Sequence, residues 1–337
     1  MLATLSLGCD STVRDGRVWS GFNYSWELLS HRVAMTRVIM NEDGTFALGL
    51  IGGDWSTGGT FDDYPMYRVH YQDISATGFA VVHGETEFTI GPEGTATTTA
   101  TVTDETIAGM RHQVVVLRGF EIDTDVAQND DYPSDYDPAL GYTSRGFGFG
   151  VGTPEVDGDT LQFDVEATLR WGPQDRSDMN AAIPHATTSV VVAWTAIGFK
   201  GRWEMESLQA SAELEHDPPY SEHEPIGAES LAFASSSRSP EITGLQSFDL
   251  LMDDQAGTDE GGYLRRFGME IIQNDEGVPT HAVAECTNTS VAEEIGVVTT
   301  VSAEVARIWL SDNDASVSIS TYEGMHDVGD AQAPEAK

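Results

Sequence analysis

Three groups of side chains in this chain have the types and spacing to do chemistry. The first is a pair of acidic stretches. Between Arg118 and Arg145 lie Glu121, Asp123, Asp125, Asp130, Asp131, Asp135 and Asp137 without one basic residue, and a second stretch holds Asp249, Asp253, Asp254, Asp259 and Glu260. Carboxylates at this density repel one another unless water or a cation neutralises them, and Ca²⁺ takes about six to eight oxygens from flexible loops of this kind. Asp123, Asp125, Asp130 and Asp131 in the first stretch, and Asp253, Asp254 and Asp259 in the second, are therefore candidate Ca²⁺ ligands. Neither stretch follows the Asp-x-Asp-x-Asp-Gly order with a closing Glu, so a loop that is solvated and binds nothing is the plainer reading.

The second group is a loop, Gly52-Gly53-Asp54-Trp55-Ser56-Thr57-Gly58-Gly59, which leads through Phe61-Asp62-Asp63-Tyr64-Pro65. Glycine spares side-chain bulk and allows φ > 0, so such a loop can bring Trp55 and Tyr64 close to a ligand together with Asp54, Asp62 and Asp63. Rings that stack on sugar faces and carboxylates that accept from hydroxyls make carbohydrate the natural ligand. The same carboxylates suit glycoside hydrolysis, which needs two at a set separation. A phosphate cradle is excluded, because the loop lacks the Lys-Ser/Thr ending and its acids repel phosphate. The third group, His216 and His223 among Glu213, Glu215, Asp217, Glu222 and Glu224, has the donors for Zn²⁺. Pro218 and Pro219 between the imidazoles prevent a helical arrangement, which leaves a solvated loop as the better reading. No Gly-x-Ser-x-Gly elbow occurs, and nothing marks Cys286 as a nucleophile.

The elements that must position these groups read as strands. Leu161 to Trp171 alternates without error: Leu161, Phe163, Val165, Ala167, Leu169 and Trp171 share one face, and Gln162, Asp164, Glu166, Thr168 and Arg170 the other. Gly146-Phe147-Gly148-Phe149-Gly150-Val151 alternates glycine with large apolar residues, and Val156-Asp157-Gly158-Asp159 supplies a turn, so 141–171 reads as a β-hairpin packed on one side. A hairpin over 31–51 turns at Asn41-Glu42-Asp43-Gly44. Further strands are expected at 66–74, 79–82, 87–90, 95–103, 113–122, 189–199, 296–310 and 316–322, with one helical turn at Glu27-Leu28-Leu29 after an aromatic-rich run from Trp19 to Trp26. Short strands with almost no helical periodicity indicate an all-β fold, an antiparallel β-sandwich or jelly-roll-like architecture.

An internal echo suggests two related domains. Gly119-Phe120-Glu121-Ile122 and Ser247-Phe248-Asp249-Leu250 are each followed by an acidic loop, then Gly-Tyr (Gly141-Tyr142; Gly262-Tyr263), arginine, and Phe-Gly (Phe147-Gly148; Phe267-Gly268). The expected division is a leading segment 1–18, a β-sandwich 19–172, a linker 173–184 rich in polar residues, a second sandwich 185–322, and an acidic tail 323–337 without fixed structure.

Composition limits the partners. The chain has 337 residues, 55 acidic and 17 basic, with a formal charge of -38, and Lys200 and Lys337 are its lysines. Nucleic acid and anionic membrane surfaces are repelled by such a molecule, whereas salty or divalent-rich surroundings relieve its self-repulsion. The opening Met-Leu-Ala-Thr-Leu-Ser-Leu-Gly-Cys resembles the tail of a bacterial lipoprotein signal, although no basic segment precedes it. That resemblance implies acylation at Cys9 and a polar tether over 10–18; the other readings are an N-terminal strand, or a Cys9–Cys286 disulfide. No run of about 20 apolar residues marks a membrane-spanning helix.

Together these features lead to the expectation of an extracytoplasmic protein, secreted or tethered by lipid, that binds an extracellular glycan or envelope component without catalysis, with Ca²⁺ in its acidic loops. A secreted glycoside hydrolase and a self-assembling envelope protein are the alternatives. The far-ultraviolet circular dichroism spectrum should be that of β-sheet; a spectrum dominated by helix would remove the basis of every assignment above.

Overall fold

The computed structural model describes residues 13–28, 35–40, 46–51, 66–90, 93–124, 142–173, 188–214, 241–254, 262–273, 279–284, 287–290, 297–310 and 315–325. The described elements run from β1 (Val13–Leu28) through the hairpin of β2 (Met35–Met40) and β3 (Phe46–Ile51) to β4 (Met66–Thr77), β5 (Phe79–Ile90) and β6 (Glu93–Thr103). A short helical turn, α1 (Glu105–Ala108), precedes β7 (His112–Thr124), β8 (Tyr142–Val151), β9 (Glu155–Asp157) and β10 (Thr160–Pro173). The remainder supplies β11 (Thr188–Phe199), β12 (Trp203–Leu214), β13 (Glu241–Asp254), β14 (Gly262–Gln273), β15 (Pro279–Ala284), β16 (Thr287–Ser290), β17 (Val297–Leu310) and β18 (Ser316–Met325).

The protein is all-β, and its sheets are antiparallel. Among the described residues three sheets form: β15-β14-β1-β4-β18 with β16 beside β14, β3-β2-β7-β11-β5, and β12-β17-β13-β8-β10-β6 with β9 beside β10. We call them the first, second and third sheet. Successive strands often feed different sheets. Gly78, at φ +69°, is the single residue between β4 of the first sheet and β5 of the second, and its carbonyl accepts from the Lys200 amide at 2.9 Å. A left-handed φ at this corner suits glycine, which has no Cβ to clash. All three sheets consequently combine strands from 19–172 with strands from 185–322, and β8 pairs directly with β13.

The two halves of the echo share a backbone irregularity. Arg118 is the extra residue of a bulge in β7 against β11, and Gln246 is the extra residue of a bulge in β13 against β17. Each bulge lies two residues before the matching phenylalanine, and Phe120 and Phe248 meet across the second and third sheets with ring centroids 5.6 Å apart. Gly119, at φ +144°, lets β7 leave its bulge without a Cβ clash.

Several boundaries differ from the sequence expectation. β1 starts at Val13, inside the stretch expected to be a tether, because Val18 and Trp19 are wholly buried and Val13 to Ser25 pair with β4. Glu27 and Leu28 belong to β1 rather than to a helical turn. β5 runs unbroken through Gly84 because the Trp194 indole occupies the space over that glycine, where a Cβ would collide with it. β12 was not anticipated, and β18 continues to Met325, past the expected start of the tail. Residues 174–187, which include most of the expected linker, lie outside the described residues.

The core is shared by the three sheets. Val18, Ile74 and Ala76 come from the first, Phe79, Val114, Val116, Ile197 and Phe199 from the second, and Ile242, Ala306, Ile308 and Leu310 from the third. The Val116 side chain of the second sheet packs directly on the backbone of the third at Gly244, where a Cβ would collide with it. At this junction sits a buried polar network. Arg307 binds Glu241 through Nε–Oε1 at 2.6 Å and Nη2–Oε2 at 3.2 Å, and both side chains are 3 % exposed. Trp309 Nε1 donates to Glu241 Oε2 at 2.9 Å. Gln72 of the first sheet, fully buried, accepts from the Thr243 amide at 2.8 Å and donates to the Glu241 carbonyl at 3.4 Å.

A buried ion pair is strongly destabilising when halved and much less so when both partners are replaced together. Glu241→Leu should therefore lower the free energy of unfolding in urea by about 3–5 kcal/mol, with Glu241→Leu/Arg307→Leu recovering most of that loss. A single substitution as mild as the double one would contradict this account of the junction.

Candidate functional site

The face of the third sheet turned away from the core carries a candidate site built from described residues. It is set up by alternation in β8 and β10. Phe147, Phe149 and Val151 point inward and are buried, as are Leu161, Phe163, Val165, Ala167 and Leu169. Gln162, Asp164 and Glu166 are exposed on the other side, as the sequence pattern requires. The side chain of Trp171 lies outside those described, and a register shift falls between Arg170 and Trp171. The 141–171 hairpin forms, with Gly158 at φ +63° in the tight turn between β9 and β10.

On β8 the outward positions are glycines, so this strand has an inner face crowded with aromatic rings and an outer face with no side chains at 146, 148 and 150. The result is a trough of about 400 Å³ along β8. Its floor is Gly148, Gly150 and Gly152; Thr97, Asp164, Glu166 and Thr168 form one wall, and Ser247 and Asp249 the other. Strand register aligns these groups in rows. Thr97, Glu166, Gly150, Ser247, Glu304 and Gln209 lie side by side from β6 to β12, followed two residues along by Thr95, Thr168, Gly148, Asp249, Ser302 and Ser211. Neither row contains an apolar side chain or a base.

Part of this surface is held by its own hydrogen bonds. Thr99 donates to Asp164 at 2.8 Å, the Thr95 and Thr168 hydroxyls are 3.0 Å apart, and Glu304 accepts from Ser207 Oγ at 2.5 Å and Gln209 Nε2 at 3.3 Å. The Asp249 carboxylate leans over Gly148, since a Cβ there would run into its Oδ1. The floor is rigid because the inner side of the same strand is packed: Phe120, Phe147, Phe149 and Phe248 form a cluster with centroid separations from 4.7 to 6.1 Å.

The groups singled out from sequence fall elsewhere. Asp54, Trp55, Asp62, Asp63 and Tyr64 lie outside the described residues, as do Asp125, Asp130, Asp131, Asp259, Cys9, Cys286, His216 and His223. Asp123 closes on β7 opposite Ser189 and Met35, while Asp253 and Asp254 end β13 opposite Val298 and Val297. Those acids thus sit on strands of different sheets. No group of three or more His, Cys, Asp or Glu that could hold a metal occurs among the described residues. The sequence signal for the trough is the Gly146-x-Gly148-x-Gly150 run itself, which leaves the face opposite its buried phenylalanines without side chains. No protein-family model, curated protein or solved structure matches this chain.

Gly150→Ala should leave stability unchanged or raise it by a few tenths of a kcal/mol, since φ there is negative and the nearest atom to the new Cβ is Ser247 Cβ at 3.4 Å. Gly148→Ala should be the less stable of the two, because the Asp249 carboxylate must move. Thermal unfolding of both variants checks the order; the reverse order would mean that Asp249 does not lean over the trough.

Proposed function

We propose that this protein is an extracytoplasmic, non-catalytic binding protein that takes a neutral carbohydrate on the outer face of the third sheet. One observation carries the reading: a glycine-floored trough walled by threonine and serine hydroxyls and by carboxylates. Carboxylates only accept hydrogen bonds and hydroxyls both donate and accept, which matches the many donor hydroxyls of a polyol. A formal charge of -38 disfavours anionic ligands and so favours a neutral one. Export, with an acylated Cys9 as anchor, draws support from the leader-like opening of the chain and from its acidity. Ca²⁺ held by Asp123, Asp125, Asp130 and Asp131 and by Asp253, Asp254 and Asp259, and a second sugar contact through Trp55 and Tyr64, belong to the same proposal.

A second reading has its own observation. Glu166 and Asp249 stand on strands either side of β8 and one row apart, so their backbones are about 12 Å apart on the diagonal. Two carboxylates across a groove at that scale are nearer to the separation used by inverting glycosidases, about 6.5–9.5 Å, than to the shorter retaining one.

A glycan array with the purified chain, in Ca²⁺ and in chelator, tests both. The expected outcome is binding of a neutral glycan without turnover, reduced at least tenfold by Gly150→Val or Asp249→Asn. Turnover lost in Glu166→Gln would establish the hydrolase instead. Binding that survives both trough variants and disappears in Trp55→Ala would place the site in the Gly52–Gly59 loop and refute the trough.

A further inference from the structure

The third sheet ends in β6, and among the described residues this strand pairs on one side only, with β10. An edge strand offers a row of backbone donors and acceptors to any second strand, and proteins commonly protect such edges with charge. The other edge of the third sheet carries Glu204, Glu206 and Glu213 on β12, and β5, an edge of the second sheet, carries Glu85 and Glu87. Residues 94–103 of β6, Gly-Thr-Ala-Thr-Thr-Thr-Ala-Thr-Val-Thr, carry no charge at all in a chain of net charge -38.

The strand is also complementary to itself. Its outward positions 95, 97, 99, 101 and 103 are all threonine and all exposed, and its inward positions are Ala96, Thr98, Ala100 and Val102. Thr98 is exposed although it faces inward opposite Val165, so the sheet's inner face is open at this position, between half-buried Ala96 and buried Ala100. A two-fold axis at Thr99 would set Thr97 against Thr101 and Thr95 against Thr103 of a second copy, forming a threonine ladder on one face. On the other it would set Ala96 against Val102. β-branched cross-strand pairs of this kind stabilise antiparallel sheets, and an isologous contact closes as a dimer.

We propose that a second copy of this chain pairs with β6, antiparallel about Thr99, to make one continuous sheet from the two third sheets. The pairing does not rest on the carbohydrate reading, although Thr97 belongs both to the trough wall and to the paired strand: β10 lies between β6 and the trough strand β8, so a strand added beyond β6 leaves the floor of the trough open and gives the dimer two of them. A contact of one strand is at the small end of specific interfaces, so the dimer should be reversible. The copies repel each other over their remaining surface, and salt should strengthen the pairing by screening that repulsion.

Sedimentation velocity of the full chain over a range of concentrations and NaCl tests this. The expected result is a dimer fraction that rises with both, and is lost in Thr98→Lys, which sets an inward-facing charge on the edge. Gln162→Lys, the same charge change one strand away, should keep the dimer. As a test that does not depend on the stability of Thr98→Lys, Thr99→Cys in a Cys9→Ser/Cys286→Ser background should form an intermolecular disulfide on mild oxidation. Directly opposed residues in antiparallel strands have Cα atoms about 4.5–5.5 Å apart, within disulfide reach. Thr95→Cys in the same background should not cross-link to itself but should cross-link to Thr103→Cys chains. A chain that stays monomeric throughout, a dimer that Thr98→Lys leaves intact, association that weakens with salt, or a Thr95→Cys self-cross-link would overturn the proposal.

Discussion

Three sheets closing on one core is the constraint from which the rest of the structure follows. A pair of sheets can bury one face each and leave their ends to solvent, but a third sheet forces strand ends and their polar groups into the interior where the sheets meet. Here that junction holds Glu241, Arg307 and the backbone at Thr243, and each is given a partner: the carboxylate by the guanidinium and the Trp309 indole, the amide of Thr243 by Gln72 reaching over from another sheet. An unpaired charge at this depth would cost several kcal/mol, so the relative placement of the first and third sheets is held by the requirement that this network stay complete.

With the junction fixed, β8 can be asymmetric. Its phenylalanines fill the space between the second and third sheets, and its glycines leave nothing on the outside. Packing within the core therefore sets the shape of the exterior: the trough exists because the same six residues, 146–151, are bulky on one side and bare on the other. Trp194 over Gly84 shows the same device used for the opposite end, since there the neighbouring indole fills the space the glycine leaves, with its Nε1 donating to Thr86 at 3.1 Å.

Side-chain direction and the two hairpins, β2 with β3 and β8 with β10, were legible in the sequence, and the long-range pairing was not. Alternation from Leu161 to Leu169 placed every one of those side chains on its observed face, because a strand with one wet side must repeat every two residues. Which strands lie together depends on corners such as Gly78 and on bulges such as those at Arg118 and Gln246, and these have no periodic signature. β12 escaped notice because Glu204, Glu206, Gln209 and Ser211 make it an acidic edge strand in which little is buried. Asp249 was visible as one more acid in an acidic stretch; only the pairing of β13 with β8 turns it into a wall of a groove. The aromatic and acidic residues around Trp55 remain the sequence's own suggestion of a second contact.

On the proposed reading, the carboxylates that strand register sets along two rows of the third sheet are what recognise the ligand. Backbone NMR on the isotopically labelled protein, titrated with whichever neutral oligosaccharide binds, tests that statement most directly. The amide resonances of Gly148, Gly150, Ser247 and Asp249 should shift together and saturate, with those on the buried side of β17 unchanged. Shifts confined to residues 52–65, with the four trough amides unmoved, would contradict it.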